Sequence, residues 1–187
     1  MSRTAGARRP ALFLDRDGTL NADTGYVDRP ERVHLLPGAA AAVARARALG
    51  YLVVVISNQS GVGRGMFGAG AVDQVNARLD ELLLESDPGA RLDAVYTCPH
   101  APPAEGEPGC ECRKPAPGLI LKAIRTHHID PARSWMVGDK PSDVEAGQAA
   151  GTRTVRIAED GAPDGADLGA RSLAEALQRI EVWEAAA

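Results

Sequence analysis

The sequence predicts an α/β protein: a doubly wound, mainly parallel sheet with helices on both faces, in the manner of a Rossmann-like fold. Short apolar, β-branched runs alternate with segments of helical spacing along the whole chain. The runs are apolar at consecutive rather than alternate positions, the mark of strands covered on both faces. Two of them also stop abruptly on acids, Leu14-Asp15 and Gly138-Asp139, and open parallel sheets bind ligands outside the carboxyl ends of their strands. With 187 residues, 44% of them apolar, one domain over 1–187 with long loops is enough to bury an ordinary core.

The elements follow in order. Ala11–Leu14 reads as a buried strand delivering Asp15 and Asp17 to an edge. The turn-rich stretch 21–37 is too long for a bare connection and reads as a functional loop or flap, with Asp23-Thr24-Gly25-Tyr26 at its tip. Pro37-Gly38 opens an alanine-rich helix that Gly50 stops. Residues 51–56 form a second buried strand, 61–70 a glycine-rich loop with Arg64, and 71–85 a helix with Val72, Val75, Leu79, Leu82 and Leu83 on one face. A third strand is expected over 92–97, then an irregular, proline-rich segment, 98–117. A helix over 118–127, a fourth strand over 135–139, a short helix from Ser142 (with Ser142 as its cap), a fifth strand over 153–157 and an amphipathic helix after Ser172 complete the chain. No stretch is large enough to be an inserted cap domain.

Charge and composition narrow the function. The net charge is −4, with mixed signs and no basic block, which argues against a nucleic-acid partner. The start, with Arg3, Arg8 and Arg9, lacks an apolar run long enough for a signal peptide, and no run approaches membrane-spanning length. A cytoplasmic, monomeric protein is expected. His34, His127 and His128 read as a loop residue and a pair suited to a helix C-terminus.

Asp15 and Asp17 repel one another unless a cation sits between them, and a hard divalent ion such as Mg2+ suits oxygen ligands. Taken alone, Asp-x-Asp-Gly is equally a solvated turn after a strand. Ser57, Lys114 and Asp143 are singly ambiguous too: a turn residue, a solvated charge, a helix N-terminal carboxylate. Together, Asp15-x-Asp17, Ser57 after an apolar strand, Lys114 before a helix, and Gly138-Asp139 with Asp143 resemble the four motifs of the haloacid dehalogenase superfamily, in order, from about residue 11 to 157. The resemblance implies a sheet whose first strand is central, flanked by the second and fourth. It also implies a phosphatase in which Asp15 is the nucleophile and Asp17 the acid and then base, protonated when substrate binds. Ser57 and Lys114 would neutralise the phosphoryl oxygens. Mg2+ would be held by the Asp15 and Asp139 carboxylates and the Asp17 carbonyl, with Asp143 in support.

All three cysteines lie in the irregular segment: Cys98-Pro99-His100, nine residues, then Cys110-Glu111-Cys112. Three thiolates and an imidazole are the inventory of a closed tetrahedral zinc site. Alternate residues of an extended segment point the same way, so each pair can bite one metal. The site would be structural, bracing the loop that ends in Arg113 and Lys114. Free thiols and a solvent histidine are the bland alternative.

Within the superfamily the zinc loop, Ser-Asn-Gln-Ser-Gly, Cys-Arg-Lys-Pro and Gly-Asp-Lys are similar to the family of heptose-bisphosphate phosphatases, which shares its ancestry with histidinol phosphatases. That resemblance implies a small sugar bisphosphate, in nucleotide-activated heptose biosynthesis. Its contacts would be Asp23, Thr24, Gly25, Tyr26, Asn58, Gln59, Ser60, Arg64, Arg113 and Lys140. A second dianion explains the extra cations, whereas a cationic amino alcohol would not. Histidinol phosphate is the alternative substrate. A receiver-like phosphoacceptor domain is the alternative class, but it would lack an acid two residues after its acceptor.

Overall fold

The sheet grows outward from Ala11–Leu14. In the computed structural model, which describes residues 8–186, this first strand (β1) is buried at all four positions. The basic start around Arg3 lies outside the described residues. The other strands are β2 (Leu52–Asn58), β3 (Ala94–Cys98), β4 (Trp135–Gly138), β5 (Arg153–Ile157) and β6 (Leu168–Ala170). They pair in the order β3-β2-β1-β4-β5-β6, all in parallel. β1 is thus flanked by β2 and β4, as the resemblance implied. The order reverses at β1, and a crevice opens there at the carboxyl edge.

Alternate β residues serve two cores. On one face Leu12, Leu14, Val53, Val55, Trp135 and Val137 lie under α1 (Ala39–Ala48), α3 (Ala69–Ser86) and α6 (Leu173–Ala186). On the other, Ala11, Phe13, Val54, Ile56 and Met136 lie under α4 (Gly118–His127) and α5 (Pro141–Ala149). Double coverage is why the strands read as continuous apolar runs. Between β1 and α1 the chain forms only a 3-10 turn, Pro30–Arg32, so no cap domain is inserted there. No helix among the described residues is long and apolar enough to cross a membrane.

Several boundaries differ from expectation, each for a local reason. β2 runs two residues further, because Ser57 and Asn58 still pair with Thr97 and Cys98. β3 starts at Ala94, since Leu92 N–H is bound to the Asp80 carboxylate and Asp93 is bound to Val53, which makes that approach a turn. The glycine-rich loop contains a helical turn, α2 (Ser60–Gly63), and α3 begins at Ala69. Ser142 does not cap α5: Lys140 is the N-cap residue, Pro141 occupies the first turn, and the Asp143 carboxylate accepts the Lys140 N–H at 3.0 Å. β6 was not foreseen. Leu168-Gly169-Ala170 has no β-branched residue, and only pairing with β5 defines it.

Leu79 is fully buried on the inner face of α3, while Leu84 is 38% exposed on its outer face. In urea denaturation Leu79→Ala is expected to cost about 2–5 kcal/mol and Leu84→Ala less than about 0.5 kcal/mol. Comparable losses would contradict this docking of α3.

Candidate active site

Three strand ends converge. Asp15 N–H still donates to Val137 O at 3.0 Å, so Asp15 extends the ladder by one residue before the chain turns. The turn needs Gly18: its φ is +90°, and a Cβ there would overlap the Asp139 carboxylate at the end of β4. Gly138 is needed in the same way, because a Cβ would overlap Asp143. Gly18 lets the turn after β1 approach the acid after β4, and Gly138 lets α5 bring Asp143 close to the end of β4.

Lys114 sits at the centre, 4% exposed. Its ammonium contacts Asp15 Oδ1 at 2.6 Å, Asp143 Oδ1 at 2.6 Å and the Ile56 carbonyl at 2.7 Å. The contacts with Asp15 and Ile56 are hydrogen bonds, whereas that with Asp143 is an ion pair whose Oδ1 accepts no hydrogen bond. Burial alone would lower the lysine's pKa, but the two carboxylates outweigh it and hold the ammonium above its usual value. Asp15 is pushed up from 3.8 to about 7, first by burial and then by the charges of Asp143 and Asp139, against the pull of Lys114. Burial raises Asp139 too.

One lysine does not balance three acids. Asp15, Asp139 and Asp143 each offer a carboxylate oxygen within 4.8 Å of the others, and buried Asp139 Oδ1 has no hydrogen-bond partner. That set fits a hard divalent cation. The Asp17 carboxylate lies outside this cluster, leaving its carbonyl as the group it could offer. Asp17 Oδ2 accepts from Arg16 Nη2 at 2.8 Å and Gln59 Nε2 at 2.9 Å, and Oδ1 accepts from Asn21 Nδ2 at 3.0 Å. Arg16, fully buried, also donates to Asn76 Oδ1 at 3.0 Å. The sequence reading overlooked Arg16, Asn21 and Asn76. An arginine between two aspartates was the available signal for the first, but the two asparagines carried none.

Ser57 Oγ accepts from Gln59 Nε2 at 2.8 Å, which leaves its own proton free to donate toward the crevice. The Asn58 side chain is bound at both ends to the Lys114 backbone, Nδ2 to the carbonyl at 3.0 Å and Oδ1 from the N–H at 3.1 Å. Above this floor opens a cleft of about 460 Å3 lined by Asp23, Gly25, Tyr26, Ser60, Arg113, Lys140 and Ser142, among others. Asp23 and Lys140 face each other across it at 3.2 Å. Thr24 and Arg64 do not line the cleft: Arg64 is exposed on the turn after α2, and Thr24 offers its carbonyl to Arg32 at 3.3 Å. Arg32 also donates to Tyr26 O at 2.8 Å, bracing the flap, a role its sequence context did not signal. Ser142, expected only as a cap, lines the cleft.

Beside it, Cys98, His100, Cys110 and Cys112 bring four donor atoms together. The sulfurs are 3.1 to 3.6 Å apart, and His100 Nδ1 is 3.2 Å from Cys112 and 3.5 Å from Cys98. The cysteines are unbridged. A tetrahedral zinc–thiolate site has edges of about 3.8 Å, so the cluster needs to open only slightly to fit that ion. Arg113, next along the chain, donates to the His100 carbonyl at 3.1 Å.

Comparison with known proteins agrees with this geometry. The HAD-hydrolase-like family model matches residues 111–177. A D-glycero-β-D-manno-heptose-1,7-bisphosphate 7-phosphatase of Rhodopseudomonas palustris is 48% identical, covering 79% of this chain and 83% of the relative. One of Escherichia coli K12 is 39% identical over 92% and 94%. A crystal structure of D,D-heptose 1,7-bisphosphate phosphatase from B. bronchiseptica, complexed with magnesium and phosphate, superposes with a TM-score of 0.81 at 30% identity, covering 93% of this chain and 99% of that one. The chain is a HAD-like phosphatase and belongs, within that class, to the family of the heptose-bisphosphate 7-phosphatases.

The raised pKa of Asp15 has a testable sign. Without a cation, its contribution to stability is present below about pH 4 and lost as pH rises through about 7. A divalent cation favours the carboxylate, so the rise in Tm produced by Mg2+ should be small near about pH 5 and level off above about pH 8. A shift independent of pH, read by thermal denaturation with and without Mg2+, would contradict the assignment.

Proposed function

We propose that this chain removes the C7 phosphate of D-glycero-β-D-manno-heptose 1,7-bisphosphate, as a single domain over 1–187 and a cytoplasmic monomer serving nucleotide-activated heptose biosynthesis. The observation that carries the reading is the pairing of two cation sets. Buried Lys114 lies among the strand-end acids, while Arg113 and Lys140, its neighbour and that of Asp139, line the cleft above. The first set suits the phosphate that reacts, the second a distal dianion. The relatives' names supply the heptose and its β anomer.

In this mechanism Asp15 attacks phosphorus in line with the C7 oxygen. The bond to that oxygen breaks and an aspartyl phosphate forms. Lys114 and the Ser57 hydroxyl stabilise the charge that spreads over the equatorial oxygens. Asp17 serves as the acid, giving a proton to the departing alkoxide. It then takes one from the water that attacks the aspartyl phosphate, releasing phosphate and restoring both acids. Leaving Arg16, Asn21 and Gln59 is part of its first task, and their hydrogen bonds suit the carboxylate it becomes. Asp15, Asp139 and the Asp17 carbonyl would hold Mg2+, supported by Asp143, and bound Mg2+ would supply further positive charge to the phosphoryl group. Cys98, His100, Cys110 and Cys112 would hold a structural Zn2+, with no position open for substrate.

Steady-state kinetics on heptose 1,7-bisphosphate, histidinol phosphate and a simple aryl phosphate test the reading. The bisphosphate should have the highest kcat/KM, and Arg113→Ala should lower it by about ten- to a hundredfold while barely affecting the aryl ester. Preference for histidinol phosphate, or equal losses on both esters, would overturn the bisphosphate assignment. Metal analysis should find one tightly held zinc per chain, with Mg2+ alone restoring activity after mild chelation. A zinc-free, fully active preparation would remove the structural site.

A further inference from the structure

We infer that Asn58, which also lines the cleft, is a positioning residue for Lys114, and that its side chain acts on the reaction through that lysine. This rests on the proposed role of Lys114 at the reacting phosphate. Asn58 is the last residue of β2, and its side-chain amide meets the backbone of Lys114 as a neighbouring strand would, donating to the carbonyl at 3.0 Å and accepting the N–H at 3.1 Å. Both the carbonyl and the amide ends are therefore engaged, with one N–H and one lone pair of the side chain left over. Lys114 belongs to no strand or helix. It lies near the end of the irregular segment, where no ladder fixes the height of its backbone.

The same strand holds the other end of the side chain. The Ile56 carbonyl, two residues before Asn58, accepts the Lys114 ammonium at 2.7 Å. β2 thus grips the lysine at its backbone and at its tip, and Ser57 lies between the two grips on the crevice floor. The hydroxyl and the ammonium that would meet the phosphoryl oxygens share one frame. Without the Asn58 tie, the backbone of Lys114 is held through its neighbours in the turn before α4, where Arg113 O accepts from Ala116 N–H at 2.8 Å and Glu111 O from Gly118 N–H at 3.0 Å, and small displacements of a charge at a reacting centre are costly.

The test compares two substrates, because a sugar contact and a positioning role differ there. Asn58→Ala should lower kcat by about ten- to a hundredfold on heptose 1,7-bisphosphate and by the same factor on an aryl phosphate. KM for the bisphosphate should stay close to wild type, and zinc content should be unchanged. A loss confined to the bisphosphate, or a rise in KM at constant kcat, would make Asn58 a sugar contact and overturn the inference, as would no loss at all. Asn58→Asp covers the case in which the alanine variant does not fold. Its carboxylate accepts but cannot donate, so its activity relative to wild type should climb as pH falls and the carboxyl regains a proton, and a flat ratio would overturn the inference. Lys114→Met separates the two levels: retained turnover there removes the role of the lysine itself, whereas a dead Lys114→Met alongside a substrate-selective Asn58→Ala removes the positioning role alone.

Discussion

A single ammonium between two carboxylates governs the layout of this protein. Lys114 lies 2.6 Å from both Asp15 and Asp143, in a place where an unpaired charge would be strongly unfavourable. Asp15 comes from the end of β1, Asp143 from the first turn of α5 after β4, and Lys114 from the loop leaving β3. Satisfying the lysine therefore fixes three crossovers relative to one another. The arrangement still carries excess negative charge once Asp139 is counted, and the same burial that lifts Asp15 to about 7 prepares the site for a second cation. Affinity for a divalent ion and for a phosphate it would help neutralise follows from one electrostatic imbalance.

The lysine arrives on the least regular part of the chain, and the structure compensates for that irregularity in two ways. The Cys98, His100, Cys110 and Cys112 cluster gathers the loop against the edge of the second apolar core, and Asn58 ties the Lys114 end of that loop to β2. α2 packs beside it: Gly63 N–H donates to Pro99 O at 2.8 Å, and a Cβ at Gly63 would press on the backbone of Ala101. The glycine-rich segment is thus a close-packing surface for the cysteine loop as much as a loop over the cleft.

Much of this was legible in the amino-acid order. Strand runs such as Val53–Ile56 need no partner information to be recognised, because double coverage makes them continuously apolar. Acids at the ends of such runs mark the functional edge whatever the fold, and cysteines confined to one proline-rich stretch point to a metal. Local reading failed where tertiary pairing decides. β6 exists because β5 offers it an edge, and Ser57 and Asn58 join β2 because β3 is alongside. Arg16 carried no assignment, yet it is fully buried against Asp17 and Asn76. Asn58 and Gln59 read as substrate contacts from their motif and line the cleft, but that their amides also hold Lys114, Asp17 and Ser57 was not legible. Hydrogen-bond partners distant in sequence leave no periodic trace, so polar residues that hold other polar residues were the systematic omission.

The proposed chemistry turns on a covalent bond from Asp15, held against Lys114, to phosphorus. Rapid acid quenching of a single turnover with substrate labelled in its C7 phosphate tests it directly. A transient label on the chain should map to Asp15 and be absent from Asp15→Asn, which should also lose turnover by about three or more powers of ten. Release of free phosphate with no label passing through the protein, at a rate that Asp15→Asn preserves, would contradict it.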